Sequence, residues 1–269
     1  MDDRTVLITG AAGMVGSHVQ RSLHLLDFRT VGVDQKQSNN DSKYQVLQLP
    51  ISKIDKEWLI KNKISCIIHL GAFSSSKQCS EASAATVIET NVVQTVRLYE
   101  IAKECKLEKY IFASSEWVYG QNWKSVSALA ADLISTGGLD LYSRSKLYAE
   151  QALSILHKED DAMRLCILRF GIIYGSLHSS SVVDLMYRAS RNNTDFSVSH
   201  PLNARRFIHI SDVVNALINV FSSTISGTFD LQGPSLYTLA DVADIFSATV
   251  EIKEECTSVR DISCTLPAT

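Results

Sequence analysis

The stretch Val6-Leu7-Ile8-Thr9-Gly10-Ala11-Ala12-Gly13-Met14-Val15, closed by Gly16, decides how the rest of this chain is read. A β-branched and aliphatic run feeds glycines spaced by three, and apolar residues at helical spacing follow from Ser17 to Leu26. A strand, a tight turn and a helix N-terminus in that order can hold a pyrophosphate, because the N–H groups and the dipole of the first helical turn face the anion. Gly10 suits the turn, Gly13 lets the backbone approach the anion, and Gly16 lets the helix lie close to the strand. A glycine loop alone is more often only a turn. Here the next apolar run, Thr30-Val31-Gly32-Val33, ends in Asp34, about eighteen residues past Gly16, as a dinucleotide site requires.

Asp34 also bears on which dinucleotide is held. A carboxylate at the tip of the second strand accepts hydrogen bonds from both adenosine ribose hydroxyls and repels a 2′-phosphate. Lys36 can soften that repulsion, but the balance favours NAD over NADP.

The chain has 269 residues and a formal charge of −3, without a run of Lys and Arg, which argues against a nucleic-acid footprint. Its length suits one doubly wound domain with a smaller appendage. Cysteines 66, 79, 105, 166, 256 and 264 form no C-x-x-C pair and lie mostly in apolar runs, which reads as reduced, buried thiols. The phosphate-binding sequence starts close to Met1, and no apolar run reaches the length of a membrane span, so a cytoplasmic protein without membrane contact is expected. No metal-ligand pattern stands out.

Strand-like runs at Thr5–Thr9, Thr30–Asp34, Tyr44–Gln48, Cys66–Leu70, Lys109–Ser114 and Leu165–Phe170 alternate with helical spacing at Ser17–Leu26, Lys56–Lys61, Ala85–Cys105 and Leu141–Leu156. That alternation predicts an α/β fold, a doubly wound parallel sheet of the Rossmann kind. The loop Gln35–Ser42 is polar. After Phe170 the rhythm changes to polar stretches, His178–Ser181 and Arg188–Pro201, then a helix at Asp212–Phe221, a strand at Gly227–Leu231 and a short helix at Leu239–Ala248. The division expected is an NAD-binding domain over 1–170 and, over 171–269, a small substrate-binding cap on the carboxyl edge, some of whose elements return to the Rossmann core.

Two further patterns carry chemistry. Phe112-Ala113-Ser114-Ser115-Glu116-Trp117-Val118-Tyr119-Gly120 is a strand ending in hydroxyls. In Tyr142-Ser143-Arg144-Ser145-Lys146 the phenol and the amine fall four apart, on one helix face. A lone pair of this kind is usually surface decoration, and a double serine at a strand end is usually a cap. Behind a dinucleotide loop their conjunction is catalytic in character. Lys146 and a nicotinamide charge both favour the phenolate of Tyr142 as a base, Lys146 can bond the nicotinamide ribose, and Ser115 holds the substrate oxygen.

From about Thr5 to Leu231 the chain resembles the extended short-chain dehydrogenases/reductases, the NAD-dependent epimerase/dehydratase family that works on nucleotide-activated sugars. The shared residues include Thr9-Gly10 to Gly16, Asp34, His69-Leu70-Gly71-Ala72, Thr90-Asn91, Ser114-Ser115 with Val118-Tyr119-Gly120, and Tyr142 with Lys146. They continue through Leu168-Arg169-Phe170 with Tyr174-Gly175, and Arg205-Arg206-Phe207-Ile208-His209-Ile210 with Asp212-Val213. The resemblance implies Ser115, Tyr142 and Lys146 as the catalytic set. For the cofactor it implies Gly10, Gly13, Met14, Val15, Gly16, Asp34, Ile51, Leu70, Gly71, Ala72, Tyr142, Lys146 and Phe170. Ser115, Glu116 and Arg205 are implied for the substrate, Arg205 through its diphosphate. Asn91 and His209 read as structural.

The chain also departs from the family pattern. Pro50, followed by Ile51, stands where an acid near the adenine is usual; Ile172 replaces an asparagine, and Arg206 replaces an aspartate. Few residues follow Leu231, so a reduced or unusual substrate pocket is expected. The dehydratase pair of acids is Glu116-Trp117 here, and an indole gives no proton at that step, which disfavours dehydration. Epimerisation of a nucleotide sugar is the leading expectation, with a dehydrogenase or reductase using exchangeable cofactor beside it, and a non-catalytic NAD sensor least supported. Apolar residues on more than one face of Ala85–Cys105 and Leu141–Leu156 suggest a homodimer through these helices, as relatives form.

Overall fold

The protein is described here by a computed structural model covering residues 5–36, 44, 46–125, 139–176, 181–199, 204–246, 249–253 and 261–265. Most of the loop Gln35–Ser42 and of His178–Ser181 lies outside the described residues.

Strand β1 (Thr5–Thr9) is buried along its whole length and leads through the glycine loop into α1 (Met14–Leu25). Then come β2 (Arg29–Asp34), β3 (Val46–Gln48), a 3₁₀ turn at Ile51–Lys53, and α2 (Lys56–Lys61), whose first turn is capped by Asp55 accepting from the Trp58 N–H at 2.8 Å. β4 (Ile64–His69) is followed by α3 (Ser76–Glu81) and α4 (Ala84–Ile88), capped by Ser75 and Ser83. A π turn over Glu89–Val93 joins α4 to α5 (Gln94–Glu104). β5 (Lys109–Ser115), a 3₁₀ segment at Glu116–Ser125, α6 (Leu141–Glu159) and β6 (Arg164–Phe170) complete this part. Beyond it run β7 (Ile172–Tyr174), α7 (Val182–Asn192), β8 (Phe196–Ser199), β9 (Ala204–His209), α8 (Ile210–Ser222), β10 (Gly227–Leu231), β11 (Leu236–Thr238), α9 (Leu239–Ile245), β12 (Thr249–Lys253) and β13 (Asp261–Thr265).

The main sheet has the order β10-β6-β5-β4-β1-β2-β3, and the pairings from β6 through β3 are parallel. Parallel strands covered on both faces are largely apolar, and every residue of β1 and β5 is buried, with the polar ones at the strand ends. The strand order reverses between β1 and β4, and a crevice for ligands opens at the carboxyl ends beside such a switch point. In register, Thr9 faces both Val33 and His69, His69 faces Phe112, and Ser115 faces Phe170. The α/β reading therefore holds.

The chain divides into two compact units, Met1–Phe170 with Val214–Asp230 and Gly171–Val213 with Leu231–Thr269. The second unit holds two three-stranded sheets, β11-β9-β7 and β12-β13-β8, and a small core of Val183, Met186, Val242 and Ala243.

Three local readings need correction. The segment read as one helix over Ala85–Cys105 is α4, the π turn and α5, the turn burying Asn91. Helix α3 goes unread in the sequence, since its only buried residue is Cys79. The polar stretch Arg188–Pro201 opens inside α7 and contains β8. Val183, Met186 and Ala189 supply α7 with a buried face at helical spacing.

Candidate active site

Gly10 has φ of +69°, and a Cβ there would stand 2.8–2.9 Å from Gly71 N, Gly71 Cα and the Leu70 carbonyl carbon. Only glycine meets both conditions. The loops after β1 and β4 thus approach each other at the switch point. Gly16 is buried, and a side chain on it would strike the Gly10 carbonyl and Ala11 Cα. Gly13 takes the N-cap position of α1 without offering a capping side chain, and no acid stands in the first turn. Met14 and Val15, half-buried, open that turn. An anion-binding helix end needs these features.

Asp34 closes the cradle. One carboxylate oxygen accepts from Ala12 N at 3.1 Å and the other from Lys36 N at 2.9 Å. A carboxylate has about four lone-pair sites, so two remain for hydroxyl groups. Ile51 is buried, and its Cδ1 would lie 3.0 Å from a Cβ on Gly71. Leu70 N and Gly71 N both donate to Thr9 Oγ1, at 3.2 and 3.0 Å, which fixes the start of Leu70–Ala72. Glycines that no side chain can replace, an uncapped helix end and a carboxylate with acceptors to spare fit a dinucleotide.

The reacting residues sit on β5 and α6. Asp140 caps α6, accepting from Ser143 N at 2.8 Å and Ser143 Oγ at 2.6 Å, and is tied to α3 by the Ser76 hydroxyl. Ser115, Tyr142 and Lys146 are all buried. The Ser115 side chain favours ionisation of the Tyr142 phenol. Lys146 Nζ donates to the Ala113 carbonyl at 2.8 Å and lies 4.9 Å from the Phe112 ring centroid. Phe170 is buried beside Ser115 at the end of β6. Glu116 is also buried, and Trp117, whose N–H donates to Ser115 Oγ at 3.3 Å, is exposed.

The electrostatics differ from the sequence reading. Burial pushes the Tyr142 phenol up to about 12, while Ser115 pulls it down and Cys79, Asp140 and Glu116 raise it further. Burial brings Lys146 down to about 8, opposed by Glu150. The lowering of the phenol comes from Ser115; the ammonium is directed at the Ala113 carbonyl.

Two buried networks frame these groups and escaped the sequence reading. Thr9 Oγ1, already accepting two backbone N–H groups, gives its hydrogen to His69 Nδ1 at 2.7 Å. His69 Nε2–H then donates to Thr95 Oγ1 at 2.9 Å, and Thr95 donates to the Asn91 carbonyl at 2.8 Å. Asn91, in the π turn, brackets the Phe73 backbone and donates to Ser145 Oγ at 2.9 Å. Burial, then Lys146, lowers His69 to about 3, so it is neutral. The second network joins Glu150, Arg169, Tyr119 and Asp230. No spacing in the sequence points to either.

Arg205 belongs to the second unit, buried on β9 with Nη1 donating to the Ala204 carbonyl at 3.0 Å. Arg206 is directed at the carbonyls of Gly233 and Pro234. In the same unit His209 bonds Ser211 Oγ at 2.8 Å. Among the described residues no cluster of His, Cys, Asp or Glu could hold a metal ion, and no helix is long and apolar enough to cross a membrane.

Comparison with known proteins agrees with this fold. The chain is 24% identical over 281 residues to a UDP-glucose 4-epimerase of Bacillus subtilis, covering 90% of this chain and 80% of the relative. A UDP-glucose 4-epimerase of Thermotoga maritima superposes with a TM-score of 0.78 at 19% identity, covering 90% of this chain and 81% of that one. An NAD-dependent NDP-hexosamine 5,6-dehydratase superposes with the same TM-score, 0.78, at 19% identity and covers 91% and 80% of the two chains. Epimerases and dehydratases thus share this fold equally. The sequence profile of one family matches residues 6–228, and the chain belongs to it: the NAD-dependent epimerase/dehydratase family.

Proposed function

We propose that the chain is an NAD-dependent nucleotide-sugar epimerase in which Ser115, Tyr142 and Lys146 are the catalytic set. The observation that carries this reading is the joint burial of Ser115, Tyr142 and Lys146, with Lys146 Nζ bonded to the Ala113 carbonyl near the carboxyl end of β5, two strands along from the glycine cradle. Tyr142 takes the proton of a sugar hydroxyl and later returns it. Ser115 holds the same oxygen while its charge changes. A phenol raised to about 12 needs a cation to lower it, and Lys146 is the buried cation on its own helix face. NAD held beside these residues would supply a reversible acceptor for the carbinol hydride. Gly10, Gly13, Met14, Val15 and Gly16 would hold the pyrophosphate, and Asp34 the adenosine ribose. Ile51, Leu70–Ala72 and Phe170 would line the cofactor.

Arg205 would take the nucleotide diphosphate. The dehydratase reading draws on Glu116, a buried carboxyl next to Ser115 that acts on Tyr142. Exposed Val93, Tyr148 and Ile155, at the start of α5 and along α6, support a homodimer through these helices. Sedimentation tests that point.

Denatured protein analysed by mass spectrometry should release NAD and a sugar nucleotide. A panel of nucleotide sugars should then give an isomer without growth of the NADH absorbance. Sustained growth of that band selects a dehydrogenase instead, and a product lighter by one water selects a dehydratase. Sugars that all return unchanged would sink the enzyme reading.

A further inference from the structure

Lys146 is 4% exposed, and an ammonium in such a place requires a counter-charge. The groups acting with it can be named element by element. His69 of β4 is neutral, the Cys79 thiol of α3 is raised by burial, and Tyr142 on α6 is a protonated phenol. Phe112 and Ala113 of β5 offer a ring face and a carbonyl. Glu150, one helical turn beyond Lys146, is the carboxylate that sustains its charge.

Glu150 is held by two strands. Arg169 of β6 clamps it as a fork, with Nε 3.0 Å from Oε1 and Nη2 2.6 Å from Oε2. The Ser114 hydroxyl donates to Oε1 as well. Arg169 Nη1 in turn donates to Tyr119 OH at 2.7 Å, and that hydroxyl donates to Asp230 on β10 at 2.7 Å. The formal charges of Lys146, Glu150, Arg169 and Asp230 sum to zero. A carboxylate locked into a guanidinium fork stays fixed, here one turn from Lys146 on the same buried helix face.

We propose that Glu150, clamped by Arg169, is a positioning residue that keeps Lys146 charged and in place; its relevance to turnover rests on the catalytic reading above. The experiment is a pH titration of ¹³C-lysine-labelled, cofactor-free protein by NMR, with the Lys146 signal assigned by its loss in Lys146→Arg. The wild type should titrate near 8. In Glu150→Gln the midpoint should fall by about one pH unit, a tenfold rise in the neutral fraction. Should that variant not fold because Arg169 is left unpaired, Glu150→Gln/Arg169→Met removes both charges and should show a smaller fall in the same direction. An unchanged midpoint overturns the proposal. The pH–rate curve separates the two readings. A curve that moves with the midpoint supports both, whereas a fallen midpoint under an unmoved curve keeps Glu150's role and removes Lys146 from the reaction.

Discussion

The glycine cradle and the reacting edge both lie at the carboxyl ends of parallel strands, yet different forces hold them. The cradle is fixed by backbone and volume: Gly10 against Gly71, Gly16 against Gly10. The edge is fixed by side-chain hydrogen bonds and charge, through Ser115, Lys146, Glu150 and Arg169. A cradle of this kind should fail by added bulk and be indifferent to pH. The edge should tolerate bulk-neutral changes and fail when a proton is misplaced.

Tyr142→Phe breaks the edge alone. Turnover should fall about a hundred- to ten-thousandfold while NAD affinity, measured by calorimetry, stays within a few-fold. An active phenylalanine variant would end the assignment of Tyr142 as the base.

His69 joins the two regions, and its prediction concerns pH. Its folded value is about 3 against 6.5 for a free imidazole, so from 6.5 downward the unfolded chain takes up a proton that the folded one refuses. Stability from this group is present above 6.5 and is lost as pH falls toward 3, by an amount on the order of a few kcal/mol. Urea unfolding of His69→Asn across that range should lack this slope. An equal slope in both proteins would place the acid sensitivity elsewhere.

Gly10→Ala tests the cradle. A side chain at φ of +69° and 2.8 Å from Gly71 N should cost about 1–3 kcal/mol, equally at mildly acid and mildly alkaline pH. A strongly pH-dependent loss, read by thermal unfolding, would contradict the volume account. The smallest effect expected is for Asp34→Asn, where NAD affinity falls about tenfold and NADP affinity less, because the repulsion leaves with the charge. Competition binding with both dinucleotides measures it.

The cradle was legible because its chemistry is local: strand, glycines and helix all lie between Thr5 and Leu25. Even so, α1 begins at Met14 where apolar spacing suggests Ser17, since Gly13 starts the helix with its backbone alone. Tyr142 and Lys146 were legible because a helix brings residues four apart together. Their electrostatic setting was not. Glu150 meets Arg169 across 19 residues, Arg169 meets Tyr119 across 50, and Tyr119 meets Asp230 across 111. No periodicity encodes such pairings; only the order of strands does. The second unit was the least readable part, because α7 lies between polar neighbours and its end falls within the polar stretch Arg188–Pro201.

The strand β10 has a consequence for dissection of the molecule. The chain leaves the first unit after Phe170 and comes back at Val214 to lay this strand beside β6. A fragment ending at Phe170 would carry β6 as a bare margin, with unpaired backbone groups open to neighbouring molecules. It would also lack Lys109's anchor on the Val220 and Ser223 carbonyls. Such a fragment should clump on expression, whereas a circular permutant that keeps 214–230 joined to it offers a monodisperse nucleotide-binding half.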